Sequence, residues 1–123
     1  GFCATVRDLA RVGQLLVEGG RGIVPAGWID DLIAGGDAAA WASGDFPELF
    51  RGAPMRYRSK WYVEDGAAPL LFGFGVHGQN LFVDRKNEIV VAKVSSQALP
   101  VDEERNALTI RSVKAIIGAL TAD

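Results

Sequence analysis

The sequence has very few of the residues that build cross-links and metal clusters. Among its 123 residues there is one cysteine, Cys3, and one histidine, His77. A single thiol cannot form a disulfide within the chain, and one histidine with scattered carboxylates is a poor ligand set for zinc or another transition metal. The sequence therefore predicts no disulfide, no metal and no other cofactor, and the lone thiol favours a cytoplasmic protein.

An excess of one charge and long apolar runs are also missing. Thirteen basic and fifteen acidic residues give a net charge of −2, which supplies no field to attract nucleic acid or an anionic membrane. Residues 30–48 hold five acidic residues and no basic one, and residues 51–60 hold four basic residues and no acidic one. Such runs are usually solvated surface. We therefore predict neither nucleic acid nor membrane as a partner, and a small nucleic-acid binder using residues 51–60 is only a minor alternative.

The composition, 49% hydrophobic and 23% charged, is that of one globular domain. Its first part shows helical periodicity, because apolar residues recur at three- and four-residue steps at Val6, Leu9, Val12 and Leu16. This predicts a helix over about residues 5–18 with Thr5 as its N-cap. A second, shorter helix is predicted from Pro25, which suits a first helical position, to a stop at Gly35-Gly36.

The middle of the chain has the pattern of strands. Side chains alternate from Met55 to Val63, which predicts one half-buried strand, and the runs Leu70–Val76, Asn80–Asp84 and Glu88–Ser95 predict an antiparallel meander. A last helix is predicted with the acidic residues 102–104 in its first turn, and with a buried stripe at Ile110, Val113, Ile117 and Leu120. The order helix, helix, strands, helix predicts an α+β fold, with an antiparallel sheet of about three to four strands covered by helices.

Residues 75–79 (Gly-Val-His-Gly-Gln) are the best candidate for a functional site. The glycines let backbone amides approach a ligand, and a strand containing them could lend an N–H group to an oxyanion. The same pattern also fits a structural histidine beside a β-bulge. Hydroxyl groups that could act as a nucleophile or proton donor have no activating base at a fixed spacing; they belong to Tyr57, Tyr62, Ser95 and Ser96.

Several segments resemble one superfamily of hydrolases. Residues 1–11 (GFCATVRDLAR) are similar to a segment of the serine β-lactamase and penicillin-binding-protein-like hydrolases. Residues 57–62 (YRSKWY), 75–79 (GVHGQ) and 91–97 (VAKVSSQ) resemble the 6-aminohexanoate-dimer hydrolases, amidases of that superfamily. The resemblance covers nearly the whole chain but only the C-terminal part of such an enzyme. It therefore implies that residues 1–123 are a single C-terminal fragment of a β-lactamase-like hydrolase domain, with Gly1 as a cut inside a larger protein.

The resemblance also implies a reaction, but this sequence lacks two of the residues that carry it out in the superfamily. In the superfamily a Ser-x-x-Lys pair supplies the nucleophile and its base, and the substrate is cleaved through an acyl-serine intermediate. The present sequence has no such pair, since Ser59 directly precedes Lys60 and Ser112 lies two residues before Lys114. We therefore expect the parent to cleave a small linear amide or ester, and the fragment to be inactive alone.

Two alignments place residues 73–79 on the strand that carries a Lys-Thr-Gly triplet in β-lactamases. In the preferred one, residues 73–75 replace the triplet and the main-chain N–H of Val76 is the oxyanion donor, with Gly75, His77, Gly78 and Gln79 shaping the substrate pocket. In the other, His77 takes the position of the cationic lysine. Either way the lysine that holds a β-lactam carboxylate is lost, which favours a linear substrate.

A second class of function is a non-catalytic binding or assembly module that keeps this half-fold. In the superfamily the strand equivalent to residues 88–95 pairs with strands from an earlier part of the chain. Without them it would present an unpaired apolar edge. We therefore expect the isolated chain to self-associate.

Overall fold

A computed structural model describes residues 3–122, so Gly1 and Phe2, which begin the first motif, lie outside the described residues. Strands β1 to β5 form one antiparallel sheet in sequence order, at Met55–Arg58, Trp61–Glu64, Leu70–Gly75, Gln79–Asp84 and Ile89–Lys93. The α-helices are α1 to α4, at Val6–Val17, Ala26–Ala34, Ala38–Ala42 and Glu103–Thr121. Single turns of 3₁₀ helix lie at Pro47–Phe50 and Val76–Gly78. The predicted α+β class with an antiparallel sheet is confirmed.

Side chains next to the first turns of α1 and α4 set where these two helices begin. The Thr5 hydroxyl accepts a hydrogen bond from the Asp8 N–H at 3.1 Å, and the Asp102 carboxylate accepts one from the Arg105 N–H at 3.0 Å. Each side chain satisfies an N–H group that the first helical turn leaves without a partner. The hydrogen bonds that Asp8 accepts from Thr5 and Arg11 also lower the pKa of its carboxyl. In α2 the predicted first residue, Pro25, lies one position earlier, at the N-cap.

The single strand predicted from Met55 to Val63 is wrong, because the structure has a hairpin there. Ser59 and Lys60 form its two-residue turn with φ of 49° and 73°, the left-handed conformations that a type I′ turn requires. Tyr57 pairs with Tyr62 and Arg58 with Trp61 across it. The turn gives the sheet five strands instead of three or four. It also shifts the alternation, so that Trp61 and Tyr57 lie on opposite faces.

The sheet has an apolar core on each face. On one face α1 and α2 cover a cluster that contains Leu16, Ile29, Leu32, Val63, Leu71, Leu81 and Val83. Gly13 allows α1 to lie close to the sheet, because a Cβ atom there would come within 2.5 Å of Val90 Cγ1. On the other face Trp41, Phe50 and α4 cover a cluster that contains Met55, Leu70, Phe72, Phe82 and Val113. The sheet is therefore the middle layer of three.

The acidic stretch contains two elements that the sequence pattern did not predict. Helix α3 begins after Asp37, whose carboxylate accepts hydrogen bonds from the N–H groups of Ala39 and Ala40 at 2.8 and 3.1 Å. The 3₁₀ turn Pro47–Phe50 follows. Together they bring Trp41 and Phe50 against the second face of the sheet. Among the helices of residues 3–122, none combines the length and the apolar content that a membrane crossing requires.

Candidate functional site

The best candidate site is the turn that joins β3 to β4. Gly75 ends β3 and pairs with Gln79, the first residue of β4, and residues 76–78 form the 3₁₀ turn between them. Inside the turn His77 and Gly78 are both left-handed, with φ of 57° and 80°. Histidine adopts this region more readily than most residues, and glycine adopts it without steric cost. The Gly-Val-His-Gly-Gln segment therefore forms a tight, defined reversal at the end of two core strands.

Val76 presents an amide N–H that has no partner in the turn. It is the first residue of the 3₁₀ turn, and the first N–H groups of a helix have no acceptor within it. The next N–H, that of His77, donates to the Pro100 carbonyl at 3.0 Å, whereas none of the turn and loop hydrogen bonds of residues 3–122 is donated by Val76. The residue is also 60% exposed. Among residues 3–122, no acceptor is therefore bonded to this amide.

Residues 95–100, which we call the clasp, hold this turn from outside. The Gln97 N–H donates to the His77 carbonyl at 3.3 Å, and the His77 ring nitrogen Nδ1 lies 2.8 Å from the Gln97 carbonyl oxygen. A carbonyl only accepts, so Nδ1 carries the proton and Nε2 does not in the neutral ring. Gln79 also accepts from the Ser95 N–H through Oε1 at 3.1 Å, and its Nε2 donates to the Ser95 carbonyl. Main-chain and side-chain bonds thus fix both sides of the turn.

An open cavity of about 800 Å³ lies beside the turn, on the sheet face covered by α1. Its lining includes Trp61 and Lys60 from the hairpin, Leu81 from β4, and Leu9 and Val12 from α1. Gly73 creates part of the space, because a Cβ atom there would lie 3.6 Å from both the Trp61 ring and Leu81. The result is a largely apolar cleft with a lysine at its wall, which we call the cleft.

A smaller cavity of about 140 Å³ lies on the opposite face, beneath the 3₁₀ turn and the start of α4. Its lining includes Phe50, Tyr62, Phe74 and Val76. Burial, and secondarily the neighbouring Tyr57, raises the pKa of the Tyr62 hydroxyl. That hydroxyl is therefore held in its neutral form over a wider pH range than that of a free tyrosine.

The five predicted site residues divide into two groups. Gly75 and Gln79 line the cleft, whereas Val76, the next residue after Gly75, lines the smaller cavity on the opposite face. His77 and Gly78 line neither cavity; His77 bonds to the clasp, and Gly78 lies so close to Gln97 that a Cβ atom there would be 2.5 Å from its side-chain amide.

Sequence reasoning missed two parts of this site. Lys60 and Trp61 belong to it because the hairpin turn brings them to the cleft, and Gln97 belongs to it because the clasp crosses the turn. The buried side chain of Gln97, 9% exposed in a polar stretch, has no local sequence signal. The left-handed pair Ser59 and Lys60 lacks the glycine or asparagine that usually marks such a turn.

The basic run at residues 51–60 is largely engaged with acidic groups. Arg58 Nε lies 2.7 Å from Asp31 Oδ2, Arg51 Nη2 lies 2.8 Å from Glu104 Oε1, and Arg56 pairs with Asp65. Arg56 also donates to the carbonyls of residues 34 and 35 at 2.8 and 3.0 Å. A phosphate backbone would have to compete with these carboxylates, so the structure gives the nucleic-acid alternative no support.

Comparisons with known proteins agree on one group of relatives. No family model matches the chain. The chain is 34% identical over 100 residues to a 6-aminohexanoate-dimer hydrolase of Paenarthrobacter ureafaciens, a match that covers 78% of this chain and 25% of that protein. A solved structure from Bacillus anthracis, provisionally named a 6-aminohexanoate-dimer hydrolase, superposes with a TM-score of 0.72 at 28% identity over 95% of this chain and 29% of that one.

The two comparisons agree in the name of the relative and in the share of it that the chain covers. Each relative carries the same hydrolase name, and in each the chain spans less than a third of the relative's length. The sequence match covers most of the chain, and the structural match covers almost all of it. The chain is therefore related in sequence and in fold to the 6-aminohexanoate-dimer hydrolases.

Proposed function

We propose that this chain is the C-terminal part of a serine hydrolase that cleaves linear amides or esters through an acyl-serine intermediate. In this proposal the chain supplies one wall of the active site, and the Val76 N–H is one of the two oxyanion donors. The observation that carries the proposal is the Val76 amide, which has no acceptor among the described residues and follows a core strand whose last residue, Gly75, lines the cleft. The relatives' shared name supports a hydrolase.

The proposed chemistry requires groups from outside residues 1–123. A serine Oγ from the rest of the parent would attack the substrate carbonyl, and its proton would pass through a base to the leaving amine or alcohol. The carbonyl oxygen becomes negative in this step, and preorganised N–H donors such as that of Val76 stabilise it more than they stabilise the neutral substrate. Water then attacks the acyl-serine, which releases the acid and restores the hydroxyl.

The arrangement around His77 supports the alignment with Val76 as the donor. Its Nδ1–H is engaged by the Gln97 carbonyl, and the residue lines neither the cleft nor the smaller cavity. A histidine in the position of a substrate-binding cation would instead direct a ring nitrogen into the cleft. Gly75 and Gln79 keep their proposed role in shaping the substrate pocket, while His77 and Gly78 shape it from behind.

The cleft itself suits a linear substrate with an apolar chain. Leu9, Val12, Trp61 and Leu81 offer apolar contacts, and each buried methylene group contributes about 0.8 kcal/mol to binding. Lys60, at the hairpin turn, could pair with a terminal carboxylate. These features fit a short polymethylene amide of the kind that the relatives' name describes.

The test is covalent labelling of the full-length hydrolase with a fluorophosphonate. We expect one adduct on a serine outside residues 1–123 and hydrolysis of the 6-aminohexanoate dimer by the same protein. The isolated 123-residue chain should give no adduct, since it has no Ser-x-x-Lys pair. A folded full-length protein that neither labels nor hydrolyses a linear amide or ester would leave the non-catalytic binding or assembly module as the better explanation.

Self-association of the isolated chain remains a separate proposal. In the described structure β5 pairs only with β4 and so forms an edge of the sheet, and its residues 89–92 are the apolar sequence Ile-Val-Val-Ala. Unpaired edges of this kind favour pairing with a second copy. Light scattering should show a mass that rises with concentration. A monodisperse monomer at high concentration would contradict the proposal.

A further inference from the structure

The turn at residues 76–78 is a conformation that needs support. His77 and Gly78 are consecutive left-handed residues, and this region is sterically unfavourable for a residue other than glycine. A three-residue connection on its own would relax toward other turns. Val76 is the first residue of this turn, so whatever holds His77 and Gly78 also restrains the main chain at Val76.

Five hydrogen bonds join residues 77–79 to the clasp. Three involve His77: its N–H donates to the Pro100 carbonyl, its carbonyl accepts from the Gln97 N–H, and its Nδ1–H donates to the Gln97 carbonyl. The other two join the side-chain amide of Gln79 to both main-chain groups of Ser95. Every polar group of the Gln79 side chain is used within this assembly, since Nε2 also donates to the His77 carbonyl at 3.2 Å.

The clasp also sits on the turn sterically. The Gln97 side chain lies directly over Gly78, where a Cβ atom would come within 2.5 Å of its amide. Lys93, at the end of β5, donates from Nζ to the Gly78 carbonyl at 3.1 Å. The turn is therefore enclosed by the clasp and by the last residue of the edge strand.

We infer that His77 and Gln79 are positioning residues, which lock the clasp onto the turn and thereby hold the main chain at Val76 in place. Their role in catalysis rests on the proposed function, but their structural role does not. His77 acts through Nδ1–H and its own main chain. Gln79 acts through its side-chain amide, in addition to lining the cleft.

A pair of substitutions separates positioning from substrate contact. In His77→Asn the side-chain amide nitrogen stands close to the position of Nδ1, and asparagine tolerates the left-handed region. In His77→Gln the amide nitrogen reaches the position of Nε2 and cannot replace the donor to Gln97. Gln79→Leu removes the other lock. Gln14→Leu, which removes an exposed side-chain bond to Glu18 on α1, is the matched control.

Hydrogen exchange of the Gln97 N–H in the 123-residue chain is the first measurement, and it does not depend on activity. We expect exchange about two- to tenfold faster in His77→Gln and Gln79→Leu, the factor that corresponds to one hydrogen bond. His77→Asn and Gln14→Leu should exchange at the wild-type rate. Equal exchange in His77→Gln and His77→Asn would overturn the structural role of Nδ1.

Steady-state kinetics of the full-length hydrolase is the second measurement. We expect kcat to fall in His77→Gln while KM stays within about twofold, and both constants to recover in His77→Asn. A rise in KM that is equal in the two variants would assign His77 to substrate binding and overturn the inference. If the wild-type protein has no hydrolase activity, the proposed function and the catalytic role fail together, while the exchange result still decides the structural role.

Discussion

Replacing Val76 by proline in the full-length hydrolase is expected to lower kcat by about a hundred- to a thousandfold, the usual effect of losing one oxyanion donor. Proline has no N–H, so the substitution removes that donor and leaves the residues that line the cleft unchanged. Because the donor acts mainly on the developing oxyanion, KM should change little. The measurement is steady-state hydrolysis of the 6-aminohexanoate dimer.

The structure indicates that this variant can fold. Proline suits the first position of a helical turn, and it requires an extended residue before it. Gly75 already has φ of −118° and ψ of 160°. Val76→Ala, which shortens the side chain but keeps the N–H, is the control and should retain most of the activity. A wild-type rate in a folded Val76→Pro protein would remove Val76 from the mechanism.

The largest effect on stability is expected from Phe72→Ala. Phe72 is fully buried, and its ring centroid lies 5.0 Å from that of Phe82 and 6.0 Å from that of Phe74. Truncating a buried phenylalanine usually lowers the free energy of unfolding by about 3–5 kcal/mol, because apolar contacts are lost and a cavity remains. Urea denaturation of the 123-residue chain measures this change.

Phe46→Ala is the matched control for that experiment. The Phe46 side chain is 51% exposed, so its removal should change the free energy of unfolding much less. If Phe72→Ala lowered the free energy of unfolding no more than Phe46→Ala does, the prediction that the second core stabilises the sheet would be wrong. Strand β3 carries both Phe72 and the residue that precedes Val76. The destabilisation expected from Phe72→Ala would therefore also weaken the support of the candidate site.

Elements defined by local chemistry were predictable from the sequence. Thr5 and Asp102 cap α1 and α4 by accepting from an N–H three residues ahead, and these bonds depend on nothing remote. Strands β3 to β5 followed from apolar runs separated by turn residues. In each case the residues that determine the element lie within it or directly beside it.

The hairpin at Ser59-Lys60 was not predictable in the same way. The alternation of residue types continues unbroken through the two turn residues, and neither of them is a glycine or asparagine that would mark the turn. The difference matters because it places Trp61 in the cleft and Tyr62 in the opposite core. Helix α3 was missed because its short alanine-rich sequence has no apolar stripe and only Asp37 marks its start.

The candidate site also contains residues that the sequence predicted and residues that it did not. Residues 75–79 were identified from their glycines and from the resemblance, and the structure places all five in or beside one turn. The partners of that turn were not predicted, because Gln97 and Pro100 lie about twenty residues away and meet it only after β4 and β5 have formed. Contacts of this kind follow from topology and leave no periodicity in the sequence.

The order of the strands has a consequence for how the sheet folds. Each strand pairs with the strand next to it in the chain, so the sheet can grow hairpin by hairpin. Every closing loop is short, and the entropy lost in closing it is correspondingly small. Folding of such a sheet is governed by local encounters and is fast relative to sheets that must wait for a distant strand. The turn and its clasp can therefore assemble early, and in the proposed hydrolase they would form a finished surface onto which the rest of the protein folds.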